Sequence, residues 1–256
     1  MNRVSMALGR AIARYIEKQT KGYVLLSTLS AGKMRASLQP GDVLLVEGDR
    51  RISTAIKYLT QSTWSHAAMF VGDGLGRDFI EADLREGVRY MALDEVLHLN
   101  LRICRPVGLT EVDRKRLTDH MRASIGHSYD LKNVIDLARY LLPQPPVPKR
   151  FRRRLLALGS GDPTRAICSS LIAEAYQSIR YPVLPMIETL QESGMAKEIL
   201  HIKHYSLFAP RDFDVSPYFQ VVKPTIEQGF DYKALQWAGP APAGRSPLTP
   251  KVVPEA

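Results

Sequence analysis

Arg165-Ala166-Ile167-Cys168-Ser169-Ser170-Leu171-Ile172-Ala173-Glu174-Ala175-Tyr176 is the stretch on which the reading of the chain turns. It follows Gly159, Gly161 and Pro163, and its apolar residues Ile167, Leu171, Ile172, Ala175, Tyr176 and, beyond it, Ile179 recur at helical spacing. The pattern predicts a buried helix with Cys168 in its first turn. The unpaired N–H groups and positive dipole end of a helix N-terminus favour an anion, so a thiol there becomes a nucleophile near neutral pH. The competing reading is a small buried core cysteine. Deciding between them requires a base elsewhere in the chain.

The composition narrows the class. The chain has 256 residues, 45% of them hydrophobic and 24% charged, which describes a globular protein with a substantial core. Its two cysteines, Cys104 and Cys168, make no disulfide framework, and no ligand spacing such as His-x-x-x-His or Cys-x-x-Cys is present. Neither a metal nor a cofactor is expected. No stretch reaches the ~20 apolar residues of a membrane span. Arg10, Arg14, Glu17 and Lys18 interrupt what would be the apolar part of a signal peptide, so the expected location is cytoplasmic.

The net charge of +9 favours anionic partners, and it is clustered. From Met1 to about Thr20, Val4, Leu8, Ala11, Ile12, Tyr15 and Ile16 share a helical face while Arg3, Arg10, Arg14 and Lys18 lie largely elsewhere. Such a helix either packs on the domain or lies on an anionic membrane surface. The second cluster, Lys149-Arg150-Phe151-Arg152-Arg153-Arg154, follows the proline-rich run Leu142 to Pro148. No DNA- or RNA-binding signature accompanies either cluster, and nucleic acid is not an expected partner.

Between the clusters lies a β-rich half. Pro40-Gly41-Asp42 reads as a turn before a buried strand, Val43 to Glu47. A short helix is expected over Ser53–Leu59, then a strand through Thr63 to Val71 closed by a Gly72-Asp73-Gly74 turn. Strands Phe79–Asp83 and Gly87–Met91, a short helix Leu93–Leu97 and a strand Leu101–Arg105 follow. Short strands in series indicate an antiparallel sheet. The later half is helical: Thr110, with Asp113 three residues on, starts a helix to about Ile125, and Leu131–Leu142 makes another. After the Cys168 helix, a loop-rich tail with one strand at Tyr218–Val222 is expected. The organisation read from this is an amphipathic helix and linker over 1–37, a catalytic domain over 38–232 with a Pro-rich, basic insertion at 143–161, and a tail over 233–256 expected to be disordered.

Of six histidines, His98, His120, His201 and His204 sit in polar or amphipathic segments, whereas His66 is followed by Ala67, Ala68, Met69 and Phe70. An imidazole in an apolar strand needs a partner, since an unpaired buried polar group costs roughly 1–3 kcal/mol. Glu81, between Ile80 and Ala82, poses the same problem one strand later. A neighbouring strand can bring its carboxylate to the ring, orienting it and stabilising imidazolium. Cys168, His66 and Glu81 then make a nucleophile, base and orienter. Cys104, in a strand with no histidine near it in sequence, reads as structural, although Arg102 and Arg105 could lower its pKa.

These residues carry a resemblance. Pro40-Gly41-Asp42-Val43, then Thr63-Trp64-Ser65-His66-Ala67-Ala68-Met69-Phe70-Val71-Gly72, Ile80-Glu81-Ala82, Gly126-His127-Ser128-Tyr129-Asp130 and Ile167-Cys168-Ser169-Ser170-Leu171-Ile172 resemble the circularly permuted papain-like branch of the NlpC/P60 superfamily. That branch, the YaeF/YiiX-type amidases related to lecithin:retinol acyltransferase-like enzymes, places its histidine before its cysteine. The resemblance implies an α+β fold, an antiparallel sheet packed against helices with the nucleophile at a helix N-terminus. It implies Cys168 as nucleophile, His66 as general base and Glu81 as the orienting residue. Tyr129 matches a tyrosine that lines the oxyanion site, or is a buried tyrosine bonded to backbone, and Ser169 joins it as an oxyanion or substrate-binding candidate. Asp42 matches a turn residue with a structural cap as its role.

The expected function is a thiol hydrolase or acyltransferase acting on an amide- or ester-linked substrate through an acyl-enzyme. The cationic segments lean toward a lipid or acyl-linked substrate and toward peripheral contact with an anionic membrane at its inner face. The alternative is a non-catalytic membrane-surface or lipid-binding module that retains the fold.

Overall fold

The computed structural model describes residues 30–72, 74, 76–83, 86–127, 167–192, 195–201, 204–205 and 208–227, with 19, 23–25, 229, 231 and 233 besides. The amphipathic segment before residue 19, Tyr129, the expected helix over 131–142, the insertion at 143–161 and the tail beyond 233 lie outside the described residues. The elements are α1 (Ala31–Ser37), β1 (Val43–Glu47), α2 (Arg51–Thr60), β2 (His66–Phe70), β3 (Phe79–Asp83), β4 (Gly87–Met91) and β5 (Asn100–Pro106). After them come α3 (Glu111–Ala123), α4 (Ile167–Ser178), β6 (Met186–Glu192), β7 (Met195–His201), α5 (Pro210–Val215), β8 (Phe219–Val222) and α6 (Pro224–Glu227).

The organising layer is a six-stranded sheet in the order β4-β3-β2-β1-β5-β8, antiparallel at every pairing. Because successive strand residues point to opposite faces, the apolar runs split into two cores. Val43, Leu45, Ala67, Met69, Ile80, Ala82 and Val88 pack with Leu117 and Met121 of α3 and Leu171, Ile172, Ala175 and Tyr176 of α4. On the other face Leu44, Val46, Ala68, Phe79, Met91 and Ile103 pack with Met34 of α1 and with Leu93 and Val96. Each fully buried Val, Leu, Ile, Met or Phe side chain among them contributes about 1.5–3 kcal/mol. The strand Val43–Glu47 is buried because it lies at the sheet's centre, covered on both sides.

Gly41 sets where β1 begins. Its φ of +94° lies in the region that favours glycine, and a Cβ there would meet Leu117 at 3.2 Å and Leu109 at 3.3 Å. Asp42, wholly buried, closes the turn by accepting from the Gln39 N–H at 2.9 Å, and Arg105 of β5 grips both its oxygens at 2.9 and 2.7 Å. The structural role expected of Asp42 is thus visible as a cap and an ion pair.

Several local expectations are corrected. The paired strand starts at His66, three residues later than Thr63, and Ser65 before it accepts the Gly48 N–H on its hydroxyl at 2.9 Å. The connection after β2 is not a tight Gly-Asp-Gly turn: the N–H groups of Val71 and Gly72 both reach the Asp78 carbonyl. The helix expected over Leu93–Leu97 is a single 3₁₀ turn, Leu93–Glu95. Helix α1 stands where a linker was expected, its Ser30 cap accepting from the Lys33 N–H. A full hairpin, Met186 opposite His201 through Glu192 opposite Met195, replaces part of the expected loop-rich tail. Its charged residues Glu188, Glu192, Lys197 and Glu198 dilute the apolar signal by which strands are recognised.

Candidate active site

The site is built where α4 meets β2 and β3. Helix α4 buries Leu171, Ile172, Ala175 and Tyr176, and the Tyr176 hydroxyl donates to the Gly41 carbonyl. That anchoring sets the height of the helix N-terminus against the sheet. Cys168 is there, 6% exposed. His66 opens β2, held on its N-terminal side by the Ser65 N–H bond to Val46 and by Trp64, whose indole N–H donates to Asp214 at 2.9 Å. Glu81 lies mid-way along β3.

The structure brings Cys168, His66 and Glu81 together. The imidazole hydrogen-bonds the Cys168 side chain on one side and Glu81 on the other. Its Nε2 lies 2.6 Å from Glu81 Oε2, which leaves Nδ1 for the sulfur. The His66 side chain keeps 27% of its surface exposed, whereas Glu81 keeps 5%, so the ring is the more accessible of the two and the carboxylate is buried beside it.

The charges follow from this geometry. Burial alone would push the Cys168 thiol up, but the imidazolium of His66 and the backbone N–H groups of Ala67 and Ser169 bring it below the ordinary cysteine value. Burial would pull His66 down, yet the adjacent sulfur and Glu81 hold it well above the usual imidazole range. Burial would likewise raise Glu81, and the imidazolium together with Arg89 keeps it below the usual carboxylate range. The state these groups favour is thiolate, imidazolium and carboxylate in series.

Two features escaped the sequence reading. Arg89 Nη2 lies 2.6 Å from Glu81 Oε1, and Glu95 Oε2 is 3.0 Å from the same nitrogen. The signal was present: once Asp83 stands opposite Gly87, counting two residues along each strand places Glu81 opposite Arg89. The other is Asp214 of α5, which accepts from Trp64 and, at 2.6 Å, from Arg102, whose guanidinium also sits 4.9 Å over the Trp64 ring. No local pattern announces a contact across so much sequence.

The remaining candidates fall differently. The Ser169 side chain is fully buried and its hydroxyl donates to the Phe208 carbonyl at 2.7 Å, so it is the Ser169 backbone N–H that faces the sulfur. Cys104 is buried in β5, and burial, reinforced by Asp214, pushes its thiol up to about 12. This fits the structural reading of Cys104: Arg102 pulls its thiol down but is outweighed, and Arg105 is engaged with Asp42. Among the described residues no three His, Cys, Asp or Glu side chains are grouped to hold a metal ion.

A family model described as permuted papain-like amidase enzyme, YaeF/YiiX, C92 family, matches residues 37–140. This segment is similar to the permuted papain-like amidases. It carries His66 and Glu81 and ends before Cys168. The match supports a cysteine hydrolase of the amidase type on an α+β, permuted papain-like fold. Among solved structures the chain is similar to "metalloprotein yiiX from Escherichia coli O157:H7", with 16% identity, a TM-score of 0.46, and coverage of 73% of this chain and 97% of that one. No curated protein gives a significant match. Among the described residues no helix is long and apolar enough to cross a membrane.

Proposed function

We propose that the protein is a thiol hydrolase or acyltransferase acting on amide or ester bonds, with Cys168 as nucleophile, His66 as general acid and base, and Glu81 as the residue that orients the imidazole. The observation that carries this reading is the His66 ring, hydrogen-bonded to a helix-N-terminal cysteine on one side and a buried carboxylate on the other. The thiolate attacks the carbonyl carbon, a C–S bond forms, and the electron pair of the C=O moves onto oxygen. The backbone N–H of Cys168, at the open end of α4, is the candidate donor to that oxyanion, with Tyr129 as a further candidate from the sequence. The oxygen then re-forms the C=O, the bond to the amine or alkoxide breaks, and imidazolium gives the leaving group its proton. Water or another acceptor, deprotonated by His66, attacks the thioester and releases Cys168 as thiolate.

The test is intact-mass analysis after exposure to a panel of amide, ester and phospholipid acyl donors, alongside C168A. An acyl adduct on Cys168 that turns over in the parent and is absent in C168A is the expected result. Turnover that survives C168A would overturn the assignment.

A second reading, a non-catalytic module at an anionic membrane surface, is favoured by the net charge of +9 and the two cationic segments. The same segments motivate a lipid substrate for the enzyme. Sedimentation with anionic but not neutral liposomes supports membrane contact, and C168A that retains it while losing no cellular function supports the binding module.

A further inference from the structure

We propose that Arg89 is a positioning residue of this site, which fixes Glu81 as an oriented anion and through it secures the thiolate–imidazolium pair. The inference rests on the reading of Cys168, His66 and Glu81 given above. It starts from the β3–β4 hairpin, whose register sets Arg89 directly opposite Glu81, where cross-strand side chains on one face meet.

The two oxygens of Glu81 have separate partners, Oε2 with His66 and Oε1 with Arg89, each at 2.6 Å. A carboxylate held at both oxygens cannot rotate away from the ring. Arg89 is fixed in turn: Glu95 Oε2 holds its Nη2 at 3.0 Å, while Glu95 Oε1 is pinned by the Ala92 N–H at 2.8 Å. A continuous row therefore runs from the 3₁₀ turn through Glu95, Arg89, Glu81 and His66 to Cys168. Its charges alternate in sign along its length.

The charge on Glu81 depends on this row. At 5% exposure, desolvation is the largest influence on the carboxyl and favours its neutral form. What opposes it is His66 from β2 and Arg89 from β4, while Asp83 on the same strand acts with burial. Arg89 itself faces Glu81, Asp83, Glu86 and Glu95, and Cys168 is the ionisable group that meets His66 from α4. Without the guanidinium, burial is opposed by the imidazolium alone. A proton then settles more readily on Glu81, the imidazolium loses its anion, and the thiolate loses its cation.

The experiment is the pH dependence of iodoacetamide alkylation at Cys168, followed by peptide mass spectrometry, in the parent, R89M, R89Q, R89K and H66A, with folding checked by circular dichroism. The expected result is a rate about tenfold lower for R89M at pH 5.5 with no change at pH 10, a like loss for R89Q, and recovery of most of it in R89K. R89Q keeps a hydrogen-bond donor without the charge, and it carries the test if R89M does not fold. Profiles for R89M or R89Q that coincide with the parent, or a deficit equal at every pH, overturn the role of Arg89 and leave the nucleophile–base reading intact. A parent Cys168 that is inert, or indifferent to H66A, overturns both.

Discussion

Cys104 and Cys168 are both buried, in the same core, and their sulfurs are opposite in character. Cys104 lies within a central strand with its backbone already committed to β1 and β8, and desolvation, reinforced by Asp214, outweighs the pull of Arg102. Cys168 lies at a helix end whose N–H groups have no intrahelical partner and beside an imidazole. Burial raises both thiols, and only one has groups that reverse it. Depth in the fold therefore says little about a cysteine until the donors around it are counted.

The sharpest way to break that contrast is to measure it. At pH 7, native-state alkylation of Cys168 is expected to exceed that of Cys104 by more than about a thousandfold, following thiolate fraction, and H66A is expected to remove most of the difference at pH 6. Rates within tenfold of each other would end the distinction. The pH window follows from the signs. The lowered Cys168 value makes the thiolate present above its folded pKa and lost as pH falls through it. The raised His66 value keeps imidazolium until the pH climbs well past the ordinary imidazole range. A flat reactive plateau across neutral pH is the expected profile.

E81Q comes next in size. It keeps the shape behind the ring and removes the charge, and the alkylation rate of Cys168 at pH 6 is expected to fall by roughly tenfold to a hundredfold, with Cys104 unchanged. No change would remove Glu81 from the site. R105M bears on the other buried carboxylate. Stranding Asp42 is expected to cost about 3 kcal/mol in denaturant unfolding at pH 7 while leaving the Cys168 profile where it was. Burial already raises Asp42, so the loss should shrink as the pH falls and the stranded carboxyl takes up a proton. A shifted Cys168 profile would mean that Asp42 and Glu81 are not separate devices.

Those two carboxylates also show what could be read in advance. Asp42 and Glu81 each pair with an arginine, but in the sequence Asp42 reads as a turn residue and only Glu81 stands out as an acid between apolar residues. The Gly-Asp turn explained Asp42 locally, because an aspartate can cap its own backbone within three residues. Glu81 had no local explanation, which is why it pointed across strands to His66. The β6–β7 hairpin and α1 were missed for the opposite reason: their charges and short lengths weaken the periodicity on which recognition depends.

The sequence by itself determined the alternation that gives the sheet two buried faces, the start of the Cys168 helix, and the presence of His66 and Glu81 where apolar residues belong. Periodicity is a local property, and a polar residue in an apolar run is visible wherever it occurs. Only the tertiary structure decided that Glu81 meets Arg89 as well as His66, that the Ser169 hydroxyl turns to Phe208, and that Arg105 serves Asp42 and not Cys104. Those outcomes depend on strand register and helix height. Both are set by how the whole core packs, and no short stretch of residues carries them.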